Sequence, residues 1–364
     1  MPEKYYVNPK SIIKAYFKAR KHKKHAKDVK DFDLYFEKNI ADLVHNICNG
    51  TYNAKKGNYC FVVYRPKPRE IFGTCFTNRV VHHYLDTKLR PIYERVYSPR
   101  TFNNRKGLGN QACINRVRQD IKELSNDNTA NCYITHIDIK GYFPNAVINV
   151  ALKQQLNLIN EEYEGKDKET LKYLMTEVLT ADPARNCRRL APEKNWNKIA
   201  PEKSLFNKPV GIGAAIGFLC CQNAMQLYIN HIIKWVESKG YRISVFVDDI
   251  YIVSKTKKVL KLIPKIRKKL AELGMQLNQK FYHQHYSKGV MCLGRMIKFD
   301  RVYLSNKSIH NSLSKVNPTL ESVNSYAGLY KGLNSYKFFK MFEEKAKALG
   351  FVPKSDFCFQ KEAV

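Results

Sequence analysis

The chain has 364 residues, 44% of them hydrophobic, and carries 63 Lys and Arg against 32 Asp and Glu, a formal net charge of +31. That length and apolar share exclude wholesale disorder and leave room for two or three subdomains. The charge would repel itself in a compact body unless a polyanion met it. Nucleic acid is preferred to an anionic membrane as that polyanion. No apolar run reaches spanning length, and the N-terminus, MPEKYYVNPK, lacks the apolar region of a signal peptide. The ten cysteines are scattered, with no CxxC pair and no zinc spacing, so we expect reduced thiols in a cytoplasmic protein and no structural metal.

Residues 10–50 read as helical and basic: KARKHKKHAKDVK, a cationic face, precedes the apolar-periodic FDLYFEKNIADLVHNI. Such a run is often only a solvated surface, but at this net charge we expect contact with a nucleic-acid backbone. CFVV, a Pro-Lys-Pro-Arg turn and REIFGT predict a hairpin with cations at its tip. Val81, Leu85 and Leu89 predict a helix over 78–97 with Pro91 near its end, then a basic Gly-containing loop and a helix in ACINRVRQDIKEL.

In NCYITHIDIKGYFPNA, residues 131–146, Tyr133, Thr135 and Ile137 alternate with Ile134, His136 and Asp138, the period of a strand. Residues 151–182 read as helical, 183–210 as an irregular basic insert containing Trp196, and IGFLCCQNAMQLYINHIIKWV as one long buried helix. VFVDDIYIV, residues 245–253, places Asp248 and Asp249 at a predicted hairpin tip inside an apolar run. Val259, Ile263, Ile266, Leu270 and Leu273 mark an amphipathic helix with Pro264 near its start, and the last 60 residues read as a small basic helical bundle.

Asp138 at a strand end and Asp248–Asp249 at a hairpin tip each have an ordinary explanation, because Asp is a common turn residue. Together, in a chain poor in acids, they suggest a cation site. Carboxylates repel one another, and hard oxygen ligands suit Mg²⁺ or Mn²⁺. Two such ions can clamp both oxygens of a phosphoryl displacement. Spacing alone leaves nuclease and nucleotidyl transferase both open.

The motifs THIDIKGYFPNA, KSLFNKPVGIGAAIGFLCCQ, VFVDDIYIV, LGMQLNQK and KGVMCLGRMIK follow the order of the reverse-transcriptase palm. RPKPREIFGTCFTNRVVHHYLDTKLRPIYERVY resembles the fingers of prokaryotic reverse transcriptases. DPARNCRRLAPEKNW and SVNSYAGLYKGLNSYKF are similar to the diversity-generating-retroelement enzymes and their unclassified, defence-associated bacterial relatives. The resemblance runs from about 15 to 345.

It implies an α+β right-hand polymerase: basic helices and fingers over 1–130, an antiparallel palm with finger insertions over 131–300, and a small helical thumb over 301–364. It further implies an RNA-directed DNA polymerase with two Mg²⁺ ions, or Mn²⁺ in their place. Asp138 and Asp248 would hold the metals with the Ile139 carbonyl, and Asp249 would support them. Arg65, Lys67 and Arg69 would meet the triphosphate, where a solvated tip is the ordinary alternative. Phe143 would be a steric gate against the ribose 2′-hydroxyl, or simple packing. Gly217 and Gln222 would lie at the nucleotide, Lys280 would donate a proton to the leaving pyrophosphate, and Leu293 and Gly294 would form the primer grip.

The resemblance breaks in GIGAAIGFLCCQ, where the retroelement relatives read close to GLPIGNLTSQ. Ala214 and Ala215 replace a Leu-Pro pair, and Phe218 stands where a small polar residue is usual, to stack on a base or fill a pocket. We therefore expect restricted or repetitive products, copied from a dedicated noncoding RNA in antiviral defence. The alternatives are retroelement mutagenesis, an inactive RNA-binding scaffold and a metal nuclease. The implied partners are an RNA template, a DNA product, dNTPs and an accessory protein or second reverse transcriptase, with no membrane.

Overall fold

The computed structural model describes residues 4–64, 67–314 and 319–362. Helix α1 (Pro9–Arg20) begins where Asn8 accepts the Lys10 N–H at 2.9 Å and Pro9 takes a position whose N–H has no helical partner. With α2 (Lys27–Leu34) and α3 (Phe36–Cys48) it buries Ile12, Tyr16, Phe32 and Ile47. The hairpin β1 (Asn58–Val63) and β2 (Arg69–Gly73) pairs antiparallel, with Val63 opposite Arg69. Helix α4 (Phe76–Val96) buries Val81, Leu85 and Leu89 along one stripe and runs on through Pro91. Helix α5 (Asn110–Leu124) then leads to β3 (Tyr133–Asp138).

The expected helix over 151–182 is divided into α6 (Ile148–Glu162) and α7 (Lys168–Leu179). Between them Asp167 accepts the Tyr84 and Tyr163 hydroxyls and pairs with Lys88, and this buried polar knot ends the helical run. The insert is less irregular than expected. Its β4 (Cys187–Arg189) joins β1 in parallel, and α8 (Glu193–Trp196) follows, with the Arg189 guanidinium 3.8 Å from the Phe206 ring centre. The single long helix predicted next is α9 (Leu219–Tyr228) and α10 (Asn230–Ser238). They part at Asn230, whose side chain accepts the Ser98 N–H and donates to the Val96 carbonyl.

Strands β5 (Arg242–Phe246) and β6 (Asp249–Ser254), helix α11 (Ile263–Glu272) with Pro264 in its first turn, and β7 (Tyr282–His285) complete the central part. The antiparallel central sheet has the order β5-β6-β3-β7. Both its faces are covered. Ile250 and Ile252 enter one core with Val236 and Ile266, whereas Tyr251 and Val253 enter another with Ile114, Val117 and Cys292. A strand covered on both sides reads as a continuous apolar run, hence the sequence IYIV.

Beyond it, β8 (Val290–Cys292), β9 (Arg295–Ile297) and β10 (Val302–Leu304) form a small sheet. Helices α12 (Asn306–Leu313), α13 (Leu320–Tyr330) and α14 (Tyr336–Lys347) follow. The C-terminal part is not purely helical. A hairpin of β11 (Phe351–Ser355) and β12 (Cys358–Lys361) sends Phe359 into its core, held by two backbone bonds to the Asn324 side chain. Cys60, Cys75, Cys113, Cys132, Cys187, Cys220, Cys221, Cys292 and Cys358 are free thiols. Among the described residues no helix is long and apolar enough to cross a membrane.

Candidate active site

The β3–β6 register sets Asp138 opposite Asp249, and Phe246 pairs with Asp249, so Val247 and Asp248 alone form the hairpin loop. Such a tight loop needs positive φ, and Val247 adopts 59° despite its β-branched side chain. The buried Asn103 holds it there by accepting the Val247 N–H at 3.2 Å. The Ile139 N–H donates to the Asp248 carbonyl at 3.3 Å, tying the loop to the end of β3.

This backbone brings the Asp138 and Asp248 carboxyls within hydrogen-bonding reach of each other. Burial, then the charges of Asp249 and Asp138, pushes the Asp248 pKa up to about 6, and the Arg69 charge pulls it partly back. Asp138 is also raised, first by burial and then by Asp249, against the opposing hydrogen bond from Asn278. The Asn278 side-chain amide donates to Asp138 Oδ2, and its backbone N–H donates to the Asp138 carbonyl at 2.9 Å. Asp249 is engaged elsewhere: its Oδ1 lies 2.7 Å from His136 Nε2.

Among the described residues no three His, Cys, Asp or Glu side chains gather as a ready-made metal cage. Two adjacent carboxylates with raised pKa values and only oxygen donors still fit a hard divalent cation. Mg²⁺ in particular is commonly held by one or two carboxylates, with waters and substrate phosphates supplying the rest.

The remaining expected residues are placed less uniformly. Arg69, exposed on β2, projects its charge onto Asp248; Lys67 is exposed nearby; Arg65 lies outside the described residues. Phe143 is half-buried in the turn after β3, edge-on to Tyr142, and its carbonyl accepts the Ala214 N–H at 2.9 Å. Ile139 is buried and bridges to Leu277. Lys280 is exposed, and it is Asn278 from the same motif that touches Asp138. Gln222 is half-buried in the first turn of α9. Leu293 and Gly294, at φ 47° and 81°, make the tight turn between β8 and β9.

The divergent segment is pinned on both sides. Gly213 donates to the Ala146 carbonyl at 2.7 Å, and the Phe72 N–H donates to Ile216 at 2.8 Å. Gly217 sits at φ 115°, where a Cβ would come within 2.2 Å of the Phe72 carbonyl oxygen, so glycine is required there for the close approach to β2. Phe218 fills a pocket: it is 3% exposed and meets the His82 ring edge-on at 5.1 Å, so it has no face left for a base. Cys220 and Cys221 are buried beside it.

Three supporting residues were missed. His136 precedes Asp138 by one strand period and shares its face, a legible signal. Asn278 lay inside the quoted LGMQLNQK. Asn103 had no signal at all, because only the fold carries its loop to the hairpin.

The paired carboxylates thus stand at the end of an antiparallel sheet, with the cationic β1–β2 hairpin beside them. Residues 55–297 match the reverse transcriptase (RNA-dependent DNA polymerase) family, and the chain belongs to that family. No curated protein matches the chain. Among solved structures it is similar to the apo telomerase of Candida tropicalis, at 12% identity and a TM-score of 0.50, covering 75% of this chain and 52% of that one. It is also similar to the Candida albicans telomerase in complex with a TWJ fragment of telomeric RNA, at 9% identity and a TM-score of 0.48, covering 88% and 59%. The chain thus spans little more than half the length of these telomerases. The first likeness is one of fold: a right-hand polymerase.

Proposed function

We propose that the protein extends a DNA primer on an RNA template by two-metal nucleotidyl transfer. The observation that carries this reading is the Asp138–Asp248 carboxyl pair, both members raised in pKa, within the reverse-transcriptase region. Asp138, Asp248 and the Ile139 carbonyl would hold two Mg²⁺ ions. When bound, such ions activate the primer 3′-hydroxyl and neutralise charge on the leaving pyrophosphate.

The chain's own residues orient the rest. Asn278 fixes the Asp138 carboxylate, and Asp249 supports the hairpin from behind. Arg69, Lys67 and Arg65 meet the triphosphate. Phe143 stands against the ribose, with Gly217 and Gln222 at the nucleotide. Lys280 donates the proton to pyrophosphate, and Leu293–Gly294 grips the primer. In this reading fingers, palm and thumb occupy 1–130, 131–300 and 301–364.

The reading extends to a bacterial enzyme of the retroelement and defence-associated group, acting in a reducing cytoplasm on a dedicated noncoding RNA in antiviral defence. An accessory protein or a second reverse transcriptase would work beside it. Support comes from the DPARNCRRLAPEKNW and SVNSYAGLYKGLNSYKF motifs, from the scattered spacing of the cysteines and from the replaced pocket segment, bonded to both β2 and the turn after Asp138. Nucleotide incorporation by the purified protein with its co-purifying RNA and Mg²⁺, compared with Asp248→Ala, tests the chemistry; equal product yields would refute it. Sequencing the products tests the role, since faithful copying of arbitrary primed RNA would count against a dedicated template.

A further inference from the structure

We propose that His136, Tyr251 and Tyr282 form a positioning unit that registers the catalytic hairpin to the Leu293–Gly294 turn, and with it the primer end to the metals. The inference rests on the polymerase reading above and adds to it residues with no assigned role.

Three strands converge on this unit. His136 and Tyr251 are register partners on β3 and β6, and their rings stack 4.6 Å apart at an interplanar angle of 10°. Tyr282 on β7 is the His136 partner on the other side, with its ring 5.1 Å away. Diagonally across the β3–β6 pair, His136 Nε2 reaches Asp249 Oδ1 at 2.7 Å from a position two residues before Asp138. This contact engages Asp249 Oδ1, while the Asp249 charge still acts on both Asp138 and Asp248.

The same two tyrosines hold the β8–β9 hairpin. Tyr251 Oη accepts the Leu293 N–H at 3.2 Å, and Tyr282 Oη donates to the Met291 carbonyl at 2.8 Å. Burial keeps both phenols protonated, Tyr251 and Tyr282 alike. One ring stack therefore links the Asp249 carboxylate to the backbone of the turn after β8. Side-chain hydrogen bonds at two depths of one sheet face fix that link more rigidly than apolar contacts would, because each bond has a direction as well as a distance.

The test uses the full chain on a primed RNA template, with single-nucleotide incorporation, Mn²⁺ binding and thermal melting read in parallel. His136→Ala should lower kcat and weaken Mn²⁺ binding by roughly 10–100-fold, with KM for the dNTP unchanged. His136→Gln, whose amide N–H reaches about as far as Nε2, should restore Mn²⁺ binding to within about threefold of wild type. Tyr251→Phe keeps the ring and removes only the hydroxyl; it should raise KM for primer–template by roughly 3–10-fold and leave Mn²⁺ binding unchanged. Native melting of each variant guards against misfolding, and His136→Gln and Tyr251→Phe carry the test should His136→Ala fail to fold. Unaltered Mn²⁺ binding in a folded His136→Ala, a His136→Gln variant as impaired as His136→Ala, or a Tyr251→Phe variant with wild-type primer use would overturn the proposal. If the wild type incorporates nothing and binds Mn²⁺ no better than Asp248→Ala, the polymerase reading falls, and the positioning unit with it.

Discussion

Two segments flank the site and solve opposite problems. The Asp248 hairpin has a sequence close to its relatives but a costly backbone, with Val247 at φ 59° restrained by Asn103. The 211–218 segment has a divergent sequence but a well-supported backbone, bonded at Gly213, Ala214 and Ile216 to the turn after β3 and to β2. In the first, conformation is held from outside because the chemistry needs both carboxylates at one tip. In the second, hydrogen bonds replace the stiffness that a proline would have supplied. Sequence departure therefore need not mean a loosened pocket.

The comparison can be broken most severely at its chemical end. Asp248→Ala should cost at least roughly 10³-fold in primer extension, measured with Mg²⁺, whereas no single side chain of the 211–218 segment should approach that loss. Gly217→Ala is next: positive φ plus the clash with Phe72 should destabilise by about 2–4 kcal/mol in urea unfolding. Gly211→Ala, at φ 79° with no neighbour within 4 Å, should cost only about 1 kcal/mol.

The third test is a pH dependence without metal. With its pKa raised from 3.8 to about 6 in the fold, Asp248 binds more protons folded than unfolded, so stability falls as pH rises through that window. Asp248→Asn should therefore gain on the order of 2 kcal/mol above pH 6, a gain that fades toward pH 4. Unfolding curves at both ends read it directly.

Smaller effects separate packing from nucleotide contact. Phe218→Leu should cost about 1–2 kcal/mol by thermal melting and leave KM for each dNTP unchanged, since the ring faces His82. A shifted dNTP preference would restore the base-stacking role. Smallest of all, Val247→Gly should raise metal-free stability by roughly 0.5 kcal/mol by relieving positive φ, read as a small rise in melting temperature.

Much of this was legible beforehand. Strand alternation placed Asp138 at the end of β3, and the apolar run around Asp248–Asp249 marked a strand covered on both faces. Periodicity failed where a polar residue interrupts a helix for tertiary reasons, as Asp167 and Asn230 do. It also missed β4 and the terminal hairpin, whose short strands carry too few residues to show a period.

By itself, then, the sequence determined the local elements, the cationic character and the acidic motifs, because those depend on residue type and spacing within a few positions. Only the tertiary structure decided which acids lie within reach of each other and that Asp249 meets His136, that Asn278 rather than Lys280 touches Asp138, and that Phe218 is buried. Those outcomes hang on strand register and on contacts between residues more than a hundred positions apart, such as His136 with Asp249 and Asp138 with Asn278. Hydrogen bonds and close packing act over a few ångströms in space, and only the folded chain sets which residues come that near.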